Sequence, residues 1–246
     1  MPIRAITFDF WRTLFYASSR SKERKALRVR RLSELLGLPP EQIVPAFKHV
    51  STEFLRTHVM EQRTPPPSDA VPMLCAQLCI PVPQEKFEAL LSAITDTFTE
   101  HPPDSIPGAL DAVRAAAALV PVGIISDTGL TPGSHIRGLL EREGFAPHLT
   151  SFSFSDEVGV AKPQAAMFHD AANKLRVGTG ELLHIGDLEP TDVAGANNVG
   201  GVSALFAGDN TRYIEGTRAR HVFHSWQEFI GSIPSIVDAS RADGAN

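Results

Sequence analysis

The 246-residue sequence predicts an α/β protein, a doubly wound, Rossmann-like parallel-sheet core carrying an inserted helical bundle. From about residue 105 onward, short apolar runs alternate with helical periodicities, the pattern of a parallel sheet covered on both faces. One further apolar run, 3–8, stands far upstream and must join that sheet, since a strand alone leaves its backbone unpaired. Residues 21–100, by contrast, read almost entirely as helix and so form an insertion after the first strand.

The elements follow in order. Residues 3–8 form a short apolar run bounded by turn material, which suits a buried strand. Leu32, Leu35 and Leu36 lead to Gly37 and Pro39, which end the first helix of the insertion. Ile43, Phe47, Val50 and Phe54 make a stripe at helical spacing, as do Phe87, Leu90, Leu91, Ile94 and Phe98; both stripes are expected inside the bundle. A shorter helix at 69–79 follows the Pro65-Pro66-Pro67 breaker. Strands are then expected at 120–126, 150–154, 182–185 and 202–206, with a weaker one at 221–223, and helices at 108–119, 132–143, 164–175 and 191–199. The expected domains are a core of 1–15 and 105–235, the helical domain at 16–104, and a flexible tail at 236–246. Segments near 15–20 and 100–106 serve as hinges.

Composition sets limits on partners. A net charge of −5 with no long basic block argues against nucleic acid. No apolar run approaches the ~20 residues that span a bilayer, so no membrane partner is expected. The N-terminus enters a strand at once without a signal-peptide layout, which makes a cytoplasmic location the expectation. Cys75 and Cys79 lack further ligands for a metal site and read as two buried apolar thiols. Oligomeric state is open, a homodimer included.

In doubly wound sheets, ligands collect outside the carboxyl ends of the strands. The first strand ends at Asp9 and the second at Ser126-Asp127. The third is followed by Gly159-Val160-Ala161-Lys162-Pro163, and the fourth by Gly186-Asp187 with Asp192 beyond it. Carboxylates, a hydroxyl and one lysine thus converge on one rim. Asp9 and Asp187 together suit a hard cation such as Mg²⁺, which favours oxygen ligands. Asp192 either orients that shell or is a plain helix residue. Glu189 is as readily a solvated loop charge, and Thr13 a turn residue.

These residues, and the stretch Phe8-Asp9-Phe10-Trp11-Arg12-Thr13-Leu14 above all, resemble the four motifs of the haloacid dehalogenase (HAD) superfamily. The subfamily resembled carries a helical, C1-type cap between the first and second motifs. The common phosphatase form of the first motif reads Asp-x-Asp-Gly-Thr-Leu; here Trp11 replaces the second aspartate and Arg12 the glycine. The resemblance implies a Mg²⁺-dependent hydrolase of a small phosphorylated metabolite, with Asp9 forming an aspartyl-phosphate. It implies metal ligation by Asp9, the Trp11 carbonyl, Asp187 and Asp192. Ser126, Asp127, Thr128, Lys162, Trp11 and Arg12 would meet the substrate, Ser126 and Lys162 also serving catalysis.

Trp11 occupies the position that usually supplies the general acid and base, help worth ~10²–10⁴ in rate. Three readings follow. One is a hydrolase whose leaving group needs little protonation, or whose acid comes from the cap. Another is a non-catalytic relative that binds Mg²⁺ and a phosphorylated ligand. The third is a metal-independent 2-haloacid dehalogenase, in which Arg12 or Arg20 would hold the substrate carboxylate; the run Gly186, Asp187, Asp192 argues against it. In the cap, Lys22, Lys25 and Lys48 are Schiff-base candidates or plain solvated residues. Arg20, Arg24, His49, Arg56 and His58 are candidate substrate-facing groups.

Overall fold

The computed structural model describes residues 2–243. Its centre is a six-stranded, all-parallel sheet in the order β3-β2-β1-β4-β5-β6. The strands are β1 (Ala5–Phe8), β2 (Val122–Ser126), β3 (Ser151–Phe154), β4 (Leu182–Gly186), β5 (Val202–Phe206) and β6 (His221–Phe223). All five strands expected after residue 105 are present. The chain winds from β1 towards β3, then returns to the other side of β1 with β4. The crevice between the carboxyl ends of β1 and β4 is therefore the switch point of the sheet, where such folds bind ligands.

Alternation along β1 assigns the two faces. Ile6 and Phe8 join a core with α6 (Ala109–Ala117), α7 (Gly133–Arg142) and α11 (Trp226–Asp243), while Ala5 faces Ala172 and Leu175 of α9 (Ala165–Leu175), which lies in sequence between the short α8 (Ser155–Val158) and α10 (Ala194–Asn198). Trp226 stacks on Phe206 with ring centroids 4.1 Å apart, and its edge meets Phe8 at 5.6 Å. The expected flexible tail from residue 236 is corrected: α11 runs to Asp243, because Ile233 and Val237, one turn apart, are both buried against the main core. Residues 244–246 lie outside the described residues.

The insertion comprises α1 (Ser21–Leu36), α2 (Pro40–Glu61), α3 (Ala70–Gln77), α4 (Phe87–Thr95) and the short α5 (Thr97–Glu100). It has its own apolar cluster, including Leu32, Ile43, Phe47, Val50, Leu74 and Ile94. Phe98 departs from the expected stripe. The helix breaks at Asp96, and Phe98 turns into the main core against Phe10 and Trp11, at 6.4 and 5.8 Å between ring centroids. Cys75 is buried as expected, whereas Cys79 is exposed, because α3 stops at Gln77 and Cys79 sits in a left-handed turn.

The two connections pair as a ribbon. Ile106 donates its N–H to the Leu14 carbonyl (2.8 Å) and Tyr16 to the Asp104 carbonyl (3.0 Å). The buried Arg24 guanidinium clamps both strands, bonding the carbonyls of His101 at 2.8 Å and Ala17 at 3.2 Å.

Candidate active site

Asp9 follows β1 directly, its N–H bonded to the Ile185 carbonyl of β4 at 2.8 Å, so the sheet ladder carries it onto the switch point. Asp187 follows the last residue of β4. Gly186 between them is a packing requirement, since a Cβ there would stand 2.2 Å from Cγ of Asp192. That close approach lets the wide turn Glu189–Val193 fold Asp192 back under the site. Oxygens of Asp9, Asp187 and Asp192 consequently lie within 4.8 Å of one another, and all three residues are buried.

Lys162 is the ammonium at their centre, only 3% exposed. Its Nζ donates to Asp9 Oδ1 at 2.7 Å, to Asp192 Oδ1 at 2.6 Å and to the Ile125 carbonyl at 3.1 Å, which uses all three donors. Asp192 has two further partners: His184 Nε2 lies 3.1 Å from Oδ1, and the Leu188 N–H reaches Oδ2 at 2.9 Å. Asp187 Oδ2 accepts from Asn210 Nδ2 at 2.8 Å, with Arg12 Nε 3.9 Å away. Among the described residues, no donor bonds Asp9 Oδ2, Asp187 Oδ1 or the Trp11 carbonyl.

The electrostatics follow from this count. Burial and the neighbouring carboxylates Asp192 and Asp187 push Asp9 up to about 8, against the pull of Lys162. Burial and Asp192 raise Asp187 to about 7, with Asn210, Arg12 and Lys162 opposing. Asp192 is held below the usual carboxylate range because Lys162 and His184 outweigh its desolvation. Its two carboxylate partners likewise hold the Lys162 ammonium protonated despite burial. One ammonium cannot neutralise three buried carboxylates, so the cluster has the charge deficit that a hard divalent cation fills. The unbonded oxygens suit it: Asp9, Asp187 and the Trp11 carbonyl can ligate. Asp192 holds Lys162 and the Leu188 N–H, and its Oδ2, which accepts from that one donor, keeps a lone pair to share with the same cluster.

Other expected site residues fare differently. Ser126 is fully buried, its hydroxyl 3.4 Å from the Asp127 carbonyl, and it does not line the cavity above Asp9. Thr128 lines it, but its hydroxyl is spent on Asp156 Oδ1 at 2.9 Å and Ser155 Oγ at 3.1 Å. Asp127 lines it, with Oδ1 accepting from the Lys162 N–H at 2.9 Å. Arg12 also lines it, tied to Asp209 by Nε at 2.8 Å and to the Asp209 carbonyl at 3.0 Å. Its φ of 58° lies in the left-handed region, which explains why glycine commonly fills this place. Thr13 is buried with its hydroxyl unpartnered among the described residues, and Glu189 holds Thr217 and Arg218 in a loop.

The cavity measures about 660 Å³. Trp11, Phe54, Leu55, Val59, Leu130 and Pro190 give it apolar walls above the charged floor. Of the cap candidates His58 alone lines it; Arg20, Arg24, His49, Arg56 and the three lysines 22, 25 and 48 do not. Asp209, Asn210 and Tyr213 enter from the loop after β5 and went unread in the sequence, although their position beyond a strand's carboxyl end was the available signal.

A family model described as haloacid dehalogenase-like hydrolase matches residues 3–200. The pyrimidine 5'-nucleotidase YjjG of Escherichia coli K12 is 29% identical over 119 residues, 48% of this chain and about half (49%) of that protein. A glyceraldehyde 3-phosphate phosphatase of Methanopyrus kandleri is 24% identical over 82% of each chain, and an (S)-2-haloacid dehalogenase of Pseudomonas sp. strain CBS-3 is 27% identical over 71% of each. Among solved structures, a 2-haloacid dehalogenase of Pseudomonas syringae superposes with a TM-score of 0.66 at 18% identity, covering 96% of this chain and 99% of that one. The magnesium-bound YfnB of Bacillus subtilis gives 0.64 at 16%, with the same coverage.

Proposed function

The chain belongs to the haloacid dehalogenase-like hydrolases, and from that premise we propose that it is a Mg²⁺-dependent phosphatase-type hydrolase of a small phosphorylated metabolite, acting through Asp9. The observation that carries this is the pairing of three buried carboxylates with a single ammonium, Lys162. A site of that charge repels a haloacid anion by several kcal/mol at short range. Supplied with a cation at Asp9, the Trp11 carbonyl and Asp187, it suits a phosphoryl group instead. Mg²⁺, when bound, would neutralise the phosphoryl oxygens and relieve their repulsion from Asp9.

The chain's own groups do the rest. Lys162 holds Asp9 Oδ1, aims it and favours its ionised form against the burial that opposes it, so that Asp9 attacks phosphorus and forms an aspartyl-phosphate. Asp192 and His184 fix Lys162 in turn, and His184 is itself anchored to Thr7 Oγ1 at 3.0 Å. The helical domain, tied to the core through the 14–19 and 101–106 ribbon, acts as the cap whose closure excludes water. Its apolar wall favours a substrate with an uncharged organic part.

The aromatic Trp11 and the dehalogenase relatives support a second reading, metal-independent dehalogenation. A single panel separates the two: phosphate release from phosphate esters and acyl phosphates with Mg²⁺ or with chelator, alongside chloride release from 2-chloropropionate. Metal-dependent phosphate release, lost in Asp9→Asn, supports the phosphatase; chloride release in chelator replaces it with the dehalogenase.

A further inference from the structure

Trp11 leaves the proposed reaction without its usual proton carrier, since an indole N–H neither donates to nor accepts from a leaving oxygen usefully. Five of the titratable groups lining the cavity have a defined occupation. Asp9 is the nucleophile, Lys162 has all three donors bonded, and the Arg12 guanidinium is tied to Asp209. Asp187 is held by Asn210, and Asp192 by three donors. What remains are Tyr213, His58 and the aspartate that His58 faces, Asp127.

We propose that His58, carried over the cavity by α2 and oriented by Asp127, is the catalytic residue that moves the proton Trp11 cannot; this rests on the reading of the site as a phosphoryl-transfer centre acting through Asp9. His58 Nε2 lies 3.4 Å from Asp127 Oδ2, and Nδ1 lies 3.5 Å from the Thr64 hydroxyl. The other Asp127 oxygen is pinned by the Lys162 N–H at 2.9 Å, while the Lys162 ammonium holds Asp9 at 2.7 Å. One residue therefore spans the distance between the nucleophile and the carboxylate that faces the imidazole. An aspartate placed against a histidine orients the ring, as the third member of a Ser-His-Asp triad does.

The location of His58 couples this proton carrier to the cap. Four and six residues further on, the chain leaving α2 is bolted to the core: the Ala161 N–H donates to the Gln62 carbonyl at 2.8 Å, and the Thr64 and Ser155 hydroxyls bond at 2.7 Å. This seam holds the imidazole against Asp127, so the proposed proton transfer depends on the docking of α2 on the core.

The proton balance closes over one turnover. As Asp9 bonds to phosphorus and the bond to the leaving oxygen breaks, protonated His58 gives its proton to that oxygen, releasing an alcohol. The neutral imidazole then takes a proton from water as the water oxygen attacks phosphorus. The bond between phosphorus and Asp9 breaks, and Asp9 returns as a carboxylate with His58 protonated again. The sum is ester plus water to alcohol plus phosphate.

The test compares benzyl phosphate, whose alkoxide must be protonated, with 4-nitrophenyl phosphate, whose phenolate leaves unaided, in Mg²⁺ with wild type, His58→Gln, Asp127→Asn, Tyr213→Phe and the exposed cap control His49→Gln. For His58→Gln, kcat/KM on benzyl phosphate is expected to fall ~10²–10⁴-fold and on 4-nitrophenyl phosphate to stay nearly unchanged. With the latter, kcat falls and a burst of 4-nitrophenolate appears, because the aspartyl-phosphate accumulates. Asp127→Asn follows the same split more weakly, and His49→Gln does not show it. Equal losses on both esters, no loss on either, or the split appearing in Tyr213→Phe instead would overturn the proposal while leaving the phosphatase reading intact. A wild-type protein that hydrolyses neither ester, nor an acyl phosphate, with Mg²⁺ overturns that reading and the proposal with it.

Discussion

Replacing Lys162 by methionine keeps the side chain's bulk and removes one charge from the middle of the site. The Lys162 side chain is 2% exposed, and its carboxylate partners Asp9 and Asp192 are 7% and 1% exposed. Breaking a buried pair by deleting one partner typically costs ~3–5 kcal/mol, because the surviving charge is left uncompensated. For a chain of this length each kcal/mol lowers the melting temperature by ~2–4 °C, so Lys162→Met should melt ~6–20 °C below wild type at about pH 8. The loss has a predictable sign with pH. Lys162 holds the folded-state Asp192 below its ordinary value, so this stabilisation is present above the ordinary carboxylate range and is lost as pH falls through the folded value. Without the ammonium, Asp9 and Asp192 take up protons at higher pH and relieve the penalty. The gap between variant and wild type should therefore narrow from about pH 8 to about pH 5. Thermal unfolding followed by circular dichroism measures both quantities. A variant within ~2 °C of wild type at about pH 8, or a gap that widens in acid, would refute the charge account of the site.

Metal binding should release protons. With Asp9 pushed up to about 8 and Asp187 to about 7, Mg²⁺ competes with protons for both carboxylates. Apparent affinity is expected to rise with pH through that window and level off above it, with proton release read by calorimetry in buffers of different ionisation heat; a pH-independent affinity without proton release contradicts the assigned ligands. Gly186→Ala would force a Cβ into Asp192 Cγ, so a loss of ~1–3 kcal/mol in urea unfolding is expected, and a neutral result would mean the wide turn can move. Arg24→Ala removes two charge-assisted hydrogen bonds from the hinge. It should cost ~1–3 kcal/mol and speed amide exchange at 14–19 and 101–106, whereas unchanged exchange there would deny Arg24 its clamping role.

Much of this was legible in the sequence because strand periodicity and the carboxyl-end rule are both local. Asp9, Asp127, Lys162, Asp187 and Asp192 each follow a strand or its loop, and the fold brings them together as expected. Ser126 follows the same rule and ends β2 fully buried, its hydroxyl 3.4 Å from the Asp127 carbonyl. The spacing of Phe98 continues the stripe of α4 and predicts a place in the helical domain's core; the break at Asp96 instead brings it against Trp11. His49 and His58 were indistinguishable as residues, but they stand two and a half turns apart on α2 and so face opposite ways. Which of the two faces the core depends on docking contacts at Gln62 and Thr64 that no periodicity encodes. The last helix was missed beyond residue 235 because its polar ending resembles a frayed tail, although Ile233 and Val237 carry it on.

The central claim is that Asp9 becomes phosphorylated during turnover. Peptide mass spectrometry of protein quenched in acid, after mixing with 4-nitrophenyl phosphate and Mg²⁺, tests it directly. One added phosphoryl mass is expected on the peptide containing Asp9, more abundant in His58→Gln and absent in Asp9→Asn or with chelator. Phosphate release with Mg²⁺ that never labels Asp9, or that survives Asp9→Asn, would contradict the account.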